Sequence, residues 1–222
     1  MATSRDSGIG SQITAQAIES AMAQAGLRPL PSGGSEKLLQ YLDLLVRWNS
    51  RLNLTAIREP AEIVRRHLVE CVQCAQVLPP AEILLDFGSG AGLPGIPIAI
   101  VRPEIRVTLG ESQRKKAAFL REAVRVLSLN ADVYEGRIES MPAQRTFGIV
   151  TLRAVDKMVE ACRIGAKRLA PGGWLVIFTT RPNQLQFELQ DLSWKEQLAT
   201  PGLEDGLLML GQGKGVPRGT LG

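Results

Sequence analysis

Between Ile83 and Gly95 the chain reads Ile-Leu-Leu-Asp-Phe-Gly-Ser-Gly-Ala-Gly-Leu-Pro-Gly. An apolar run ends in Asp86, and Gly88, Ser89, Gly90, Gly92, Leu93 and Gly95 follow. Apolar residues leading into clustered glycines predict a buried strand and a tight turn, along which backbone can lie close to a ligand. In a doubly wound α/β protein that place holds a nucleotide-type cofactor. The spacing G-x-G-x-G puts Leu93 where the dinucleotide fingerprint needs its third glycine. Asp86 would repel a pyrophosphate beside the turn, and it suits a cationic ligand. S-adenosylmethionine, with an ammonium and a sulfonium and no phosphate, fits both features. A second apolar run, Ile105 to Gly110, ends in Glu111. An acid at the end of strand two accepts hydrogen bonds from ribose hydroxyls.

These residues need a scaffold. From residue 81 onward, strand-like runs at 83–87, 105–110, 131–135, 147–152 and 173–179 alternate with helical periodicity at 95–101, 113–128, 154–170 and 183–190. Alternation of this kind predicts a parallel sheet with helices on both faces. Two further strand candidates, 194–199 and 207–210, flank Pro201-Gly202 and predict a terminal hairpin. Upstream, Ile13 to Leu27 reads as a short helix. Ser35 stands where a cap would start a helix through Leu38, Leu42, Leu45 and Trp48. Another helix spans Glu59 to Leu78 and stops at Pro79-Pro80. The chain therefore divides into a poorly ordered segment with a short helix (1–34), a helical extension (35–80) and a cofactor-binding domain (81–222).

Bulk properties narrow the class. A length of 222 residues supports one α/β domain with an extension. Lys and Arg exceed Asp and Glu by 26 to 22, which permits a nucleic-acid partner without establishing one. No apolar stretch has the length of a membrane span, and the N-terminus lacks the apolar core of a signal peptide. Three cysteines without a disulfide framework predict a cytoplasmic protein. His67, Cys71 and Cys74 share a helical face, but no fourth ligand accompanies them, so no metal is expected.

Several blocks then form an ordered pattern. Trp48-Asn49 precedes Asn53-Leu54-Thr55-Ala56-Ile57. Arg66-His67-Leu68 follows, then the glycine segment through Pro97, Glu111-Ser112 with Lys115-Lys116, Gly136-Arg137-Ile138-Glu139, Arg153-Ala154-Val155 and Pro171-Gly172-Gly173. Over roughly residues 35–180 the chain resembles the glucose-inhibited division protein B family, bacterial methyltransferases that make N7-methylguanosine in small-subunit (16S) ribosomal RNA. The resemblance implies a Rossmann-like class I methyltransferase fold. Its seven-stranded sheet has an antiparallel last strand, preceded by an N-terminal helical extension. It implies S-adenosylmethionine as cofactor, ribosomal RNA or the 30S particle as partner, and a monomer. The chain departs from the family at Glu70-Cys71, where Asp-Ser is usual, at Gly148, where Asp is usual, at Gly110, where Leu is common, and at Thr179-Thr180, where Lys-Gly is common.

Carried onto this sequence, the resemblance places Asp86, Gly88, Ser89, Gly90, Gly92 and Leu93 at the methionine end of the cofactor. Glu111 and Ser112 fall at the ribose, and Ile138 and Glu139 near the adenine. Arg153 and Arg137 are the candidate catalytic residues, positioning the RNA, with Arg153 also beside the cofactor. An arginine fork at Arg153 suits guanine O6 or a phosphate. Asn49, Asn53 and His67 are candidates for substrate contact. A helix cap with its turn, and a structural histidine, are the other readings of these three. Guanine N7 carries an in-plane lone pair, so its methylation needs proximity, orientation and a suitable electrostatic setting, with no prior deprotonation. No Asn/Asp-Pro-Pro-aromatic motif for amine methylation and no strand-end cysteine for attack on a pyrimidine is present. A small-molecule methyltransferase, or a non-catalytic RNA-binding or ribosome-assembly protein on the same fold, are the alternatives.

Overall fold

A computed structural model describes residues 13–187, 189 and 192–214. Residues 1–12 of the segment expected to be poorly ordered lie outside them. Helices α1 (Ala15–Gln24) and α2 (Gly34–Leu52) open the chain. Then α3 (Pro60–Ile63) runs through a π-helical turn (Val64–Leu68) into α4 (Val69–Val77). After these come β1 (Ile83–Phe87), α5 (Gly95–Val101), β2 (Arg106–Glu111), α6 (Arg114–Leu127), β3 (Ala131–Glu135), β4 (Phe147–Arg153), α7 (Met158–Ala166), β5 (Leu169–Thr180), β6 (Leu192–Ala199) and β7 (Gly206–Gly213).

The seven strands form one sheet in the order β3-β2-β1-β4-β5-β7-β6. The pairs among β1 to β5 are parallel, and β7 runs antiparallel between β5 and β6. The order reverses between β1 and β4. At that switch point the two following connections leave toward opposite faces and open a crevice beyond the strand ends.

Leu38, Tyr41, Leu42 and Leu45 recur at helical spacing and give α2 a buried stripe. With α1, α4, α5 and α6 it shares one apolar cluster against one face of the sheet, so the extension and the sheet domain have a common core. The other face packs Leu85, Phe87, Val150, Leu152 and Ile177 against Ala161 and Cys162 of α7. Helices thus cover both faces, as the alternation predicts.

The structure departs from the sequence reading in places. Ser35 does not cap α2. Gly33, at φ 73°, is the cap residue, and the buried Ser35 hydroxyl instead donates to Glu19 of α1 at 2.6 Å. The helix expected over 154–170 starts only at Met158, because Ala154 (φ 52°) and Lys157 (φ 50°) adopt left-handed backbone. The expected helix at 183–190 is a 3-10 segment, Arg181–Phe187.

Candidate active site

Beyond the carboxyl ends of β1, β2 and β4 lies a cavity of about 750 Å³, within the size range of cofactor and ligand sites. Its floor is Phe87, Gly88, Ser89, Gly90, Ala91 and Leu93. One wall carries Gly110, Glu111, Ser112, Gln113 and Lys116, and another Gly136, Arg137, Ile138 and Glu139. The end of β4 and the loop after it supply Arg153 to Lys157, while Leu54 to Ile57 and His67 come from the helical extension.

Glu111 fixes the floor from the side. One carboxylate oxygen accepts from the Gly90 N–H at 3.0 Å and the other from the Gln113 N–H at 2.7 Å. A carboxylate has about four acceptor positions, so lone pairs remain for a ribose diol. A Cβ built on Gly90 (φ 53°) meets only the Gly88 carbonyl at 3.8 Å, and the residue borders the cavity. The backbone there offers a bare surface for a ligand. Glu111 and this open floor fit S-adenosylmethionine.

Asp86 lies below the floor. It is 1% exposed. Its Oδ1 accepts from the Thr151 hydroxyl at 2.9 Å and its Oδ2 from the Gly95 N–H at 3.2 Å. Burial raises its pKa to about 6. Hydrogen bonds from Ser89, Thr151 and Gly95 hold it back, as does the charge of Arg153.

A polar chain closes the opposite side. Arg153 donates from Nε and Nη2 to Glu70 Oε2 at 3.1 and 2.9 Å, and from Nη2 to His67 Nδ1 at 2.7 Å. His67 Nε2 lies 3.2 Å from the Thr55 hydroxyl. The side chains of Arg153 and Glu70 are 14% and 5% exposed. Burial pushes the Glu70 carboxyl up, and the Arg153 guanidinium pulls it back. Burial, then the Arg153 charge, lowers the His67 pKa to about 4. His67 sits in the π turn, where the Val69 N–H reaches back to the Val64 carbonyl. Such turns re-aim side chains and recur at functional sites.

The family described as GidB, rRNA small subunit methyltransferase G, matches residues 34–200. The chain belongs to the GidB family. It is 42% identical over 172 residues to the ribosomal RNA small subunit methyltransferase G of Xanthomonas campestris pv. campestris (strain B100), covering 75% of this chain and 81% of that one. It is 41% identical over 189 residues to the protein of that name from Stenotrophomonas maltophilia (strain K279a), covering 84% and 87%. Among solved structures, a putative O-methyltransferase from Klebsiella pneumoniae superposes with a TM-score of 0.58 at 17% identity, over 89% of this chain and 96% of that one. TYW2 from P. horikoshii, in complex with MeSAdo, superposes with a TM-score of 0.56 at 18% identity, over 67% and 63%. These two likenesses show the class I methyltransferase fold.

In this GidB-family chain, Gly88, Ser89, Gly90, Leu93, Glu111, Ser112, Ile138, Glu139, Arg137, Arg153 and His67 border one cavity. Asp86 and Gly92 do not. Asp86 braces the loop from beneath through Gly95 and is bonded to Thr151. A Cβ on Gly92 (φ 86°) would meet Ile96 Cδ1 at 2.4 Å, so that glycine permits packing. Asn49 and Asn53 are also outside the cavity lining. Asn49 Oδ1 accepts from the Thr55 N–H at 2.9 Å and its Nδ2 donates to the Thr55 carbonyl at 3.0 Å. Asn53 (φ 50°) ends α2 as its left-handed cap. In the structure one is a backbone clamp and the other a helix cap. The free arginine fork expected at Arg153 is engaged, since Nε and Nη2 bond Glu70 and His67.

Sequence reasoning missed Glu70, whose pairing with Arg153 spans 83 positions. It also missed Lys116. Lys116 is in the first turns of α6 and borders the cavity. Gly148, where the family usually has Asp, stands near the start of β4, facing Ala81. It is five residues from Arg153, roughly 16 Å along the strand. That departure is remote from the cavity. Cys71 and Cys74 are buried, and burial pushes both thiols up. Among the described residues no group of His, Cys, Asp or Glu is disposed to hold a metal ion, and no helix is long and apolar enough to cross a membrane.

Proposed function

We propose that this protein transfers the methyl group of S-adenosylmethionine to N7 of a guanine in small-subunit ribosomal RNA. The observation that carries the reading is the shared cavity. Glycine loop, Glu111, the loop after β4 and the helical extension all border it, in a chain that belongs to the GidB family.

Bound in the cavity, the cofactor supplies an electrophilic methyl. The chain's own residues do the rest. Gly88 and Gly90 keep the floor clear of side chains, and Glu111 offers acceptors to the ribose. Ile138 supplies an apolar surface for the adenine, next to Glu139. The methyl held there would pass to the N7 lone pair, with the carbon–sulfur electron pair left on sulfur. Positive charge would pass from sulfur to the guanine ring with no proton exchanged. The protein's task is alignment and electrostatic setting. Glu139, Asp156 and Glu160 border the cavity, where they stand among the cations of its lining. Arg137 is exposed at the rim, with Lys116 and Lys157 nearby on the lining, and these cations suit RNA phosphates.

Mass spectrometry of small-subunit rRNA from cells with and without the gene tests the proposal. Loss of one N7-methylguanosine, restored by the wild-type chain, is the expected result. An unchanged modification pattern overturns it.

A further inference from the structure

Arg153 cannot read a guanine with a bidentate fork, because Nε and Nη2 already bond Glu70 and His67. The same bonds determine a different group's chemistry. A guanidinium only donates, so His67 Nδ1 must accept from Arg153. In a neutral imidazole the other nitrogen then carries the proton. Nε2–H is therefore a donor, and it points at the Thr55 hydroxyl oxygen 3.2 Å away. The same oxygen accepts from the Ile57 N–H at 3.2 Å. A hydroxyl has two acceptor lone pairs and one proton. Both acceptor positions of Thr55 are filled from inside the protein. Its O–H has no acceptor among the described residues, and Thr55 borders the cavity.

We propose that Thr55 is a donor-only hydroxyl that reads O6 of the target guanine, which rests on the function proposed above. Five residues hold it in that state. Asn49 clamps its backbone on both sides. Ile57 and His67 occupy its lone pairs. Arg153 sets the His67 tautomer, and Glu70 anchors Arg153. Guanine offers an acceptor at position 6, beside N7, whereas adenine offers an amine there. The amine would face an O–H that cannot turn to accept, leaving two donors unpaired, and sites built this way discriminate strongly. The contact is one of recognition. Positive charge gathers on the ring during transfer, so a donor at O6 does not gain strength in the transition state.

The test uses undermethylated small-subunit rRNA assembled by ligation. It carries either guanosine or 2-aminopurine riboside at the position identified by mass spectrometry. The second base keeps N7 and the 2-amino group and lacks O6. The wild-type preference in kcat/KM for guanosine is expected to shrink about tenfold in Thr55→Val and to persist in Thr55→Ser, in line with one lost hydrogen bond. If Thr55→Val slows both RNAs equally, Thr55 has only a structural role and the assignment falls. A raised cofactor KM with the base preference unchanged would instead put the hydroxyl on the cofactor, and also overturns it. If Thr55→Val does not fold, the preference is read as binding by the wild-type protein, where less than threefold overturns it. Absence of N7 methylation by the wild type on the guanosine RNA marks failure of the underlying function.

Discussion

Arg153 reaches 86 positions back along the chain to donate to His67 Nδ1 at 2.7 Å, and in doing so it selects the tautomer that His67 presents to Thr55. The arginine at the end of β4 is thus joined to the helical extension by a hydrogen-bonded chain. The extension is part of the site's wall, and its residues set the polarity of that wall.

Removal of Arg153 has a consequence apart from catalysis. Glu70, 5% exposed, would be left buried without its partner, which costs about 3–5 kcal/mol. Arg153→Ala is expected to lower Tm by about 10 °C in a chain of this size, and Glu70→Gln in the same chain should recover part of that loss. Calorimetry of the single and double variants decides it. An unchanged Tm for Arg153→Ala would mean the pair is not formed in solution.

Gly90 and Gly92 should fail differently. Both have positive φ, so alanine strains the backbone by about 1 kcal/mol at either. The added methyl at Gly90 would project toward the cavity, whereas at Gly92 it would collide with Ile96. Gly90→Ala is expected to fold and to bind S-adenosylmethionine at least tenfold more weakly. Gly92→Ala is expected to lose several degrees of Tm as well. Isothermal titration beside thermal unfolding separates them, and equal behaviour would refute the distinction.

A buried carboxyl and a half-buried imidazole make stability depend on pH in opposite senses. Folding raises Asp86 from 3.8 to about 6. The stabilisation this gives is complete below about 4 and is lost as pH rises through about 6. Folding lowers His67 from 6.5 to about 4. That stabilisation is complete above 6.5 and is lost as pH falls through about 4. Asp86→Asn should therefore improve relative to wild type between pH 4 and 7, by up to about 3 kcal/mol. His67→Gln should improve relative to wild type as pH falls from 6.5 to 4. Urea unfolding across that range gives both slopes, and a reversed slope for either variant would contradict the assigned burial.

Arg137 is exposed at the cavity rim. If it meets one RNA phosphate, Arg137→Ala should weaken rRNA binding and reduce the slope of log K against log salt by a little under one. An unchanged slope with lowered turnover would shift its role from the backbone to the base or the cofactor.

Local rules carried much of the architecture. Alternating apolar runs and helical periodicity placed β1, β3, α5 and the β6–β7 hairpin, because burial and period are properties of neighbouring residues. The glycine loop and Glu111 were legible for the same reason, since both follow directly from strands. What the residues do once folded was less legible. Asp86 reads as a ligand group, but it is buried under Gly95 and Thr151. Asn49 and Asn53 read as contacts, but one clamps Thr55 and the other ends α2. Glu70 stood out only as a departure from the family, and its pairing was not legible because its partner lies 83 positions away. The sequence by itself determined the succession of strands and helices, the glycine loop and the family to which the chain belongs. Only the tertiary structure decided which polar groups face the cavity and which are spent on one another, because a hydrogen bond used inside the protein is a matter of three-dimensional proximity that no spacing along the chain encodes.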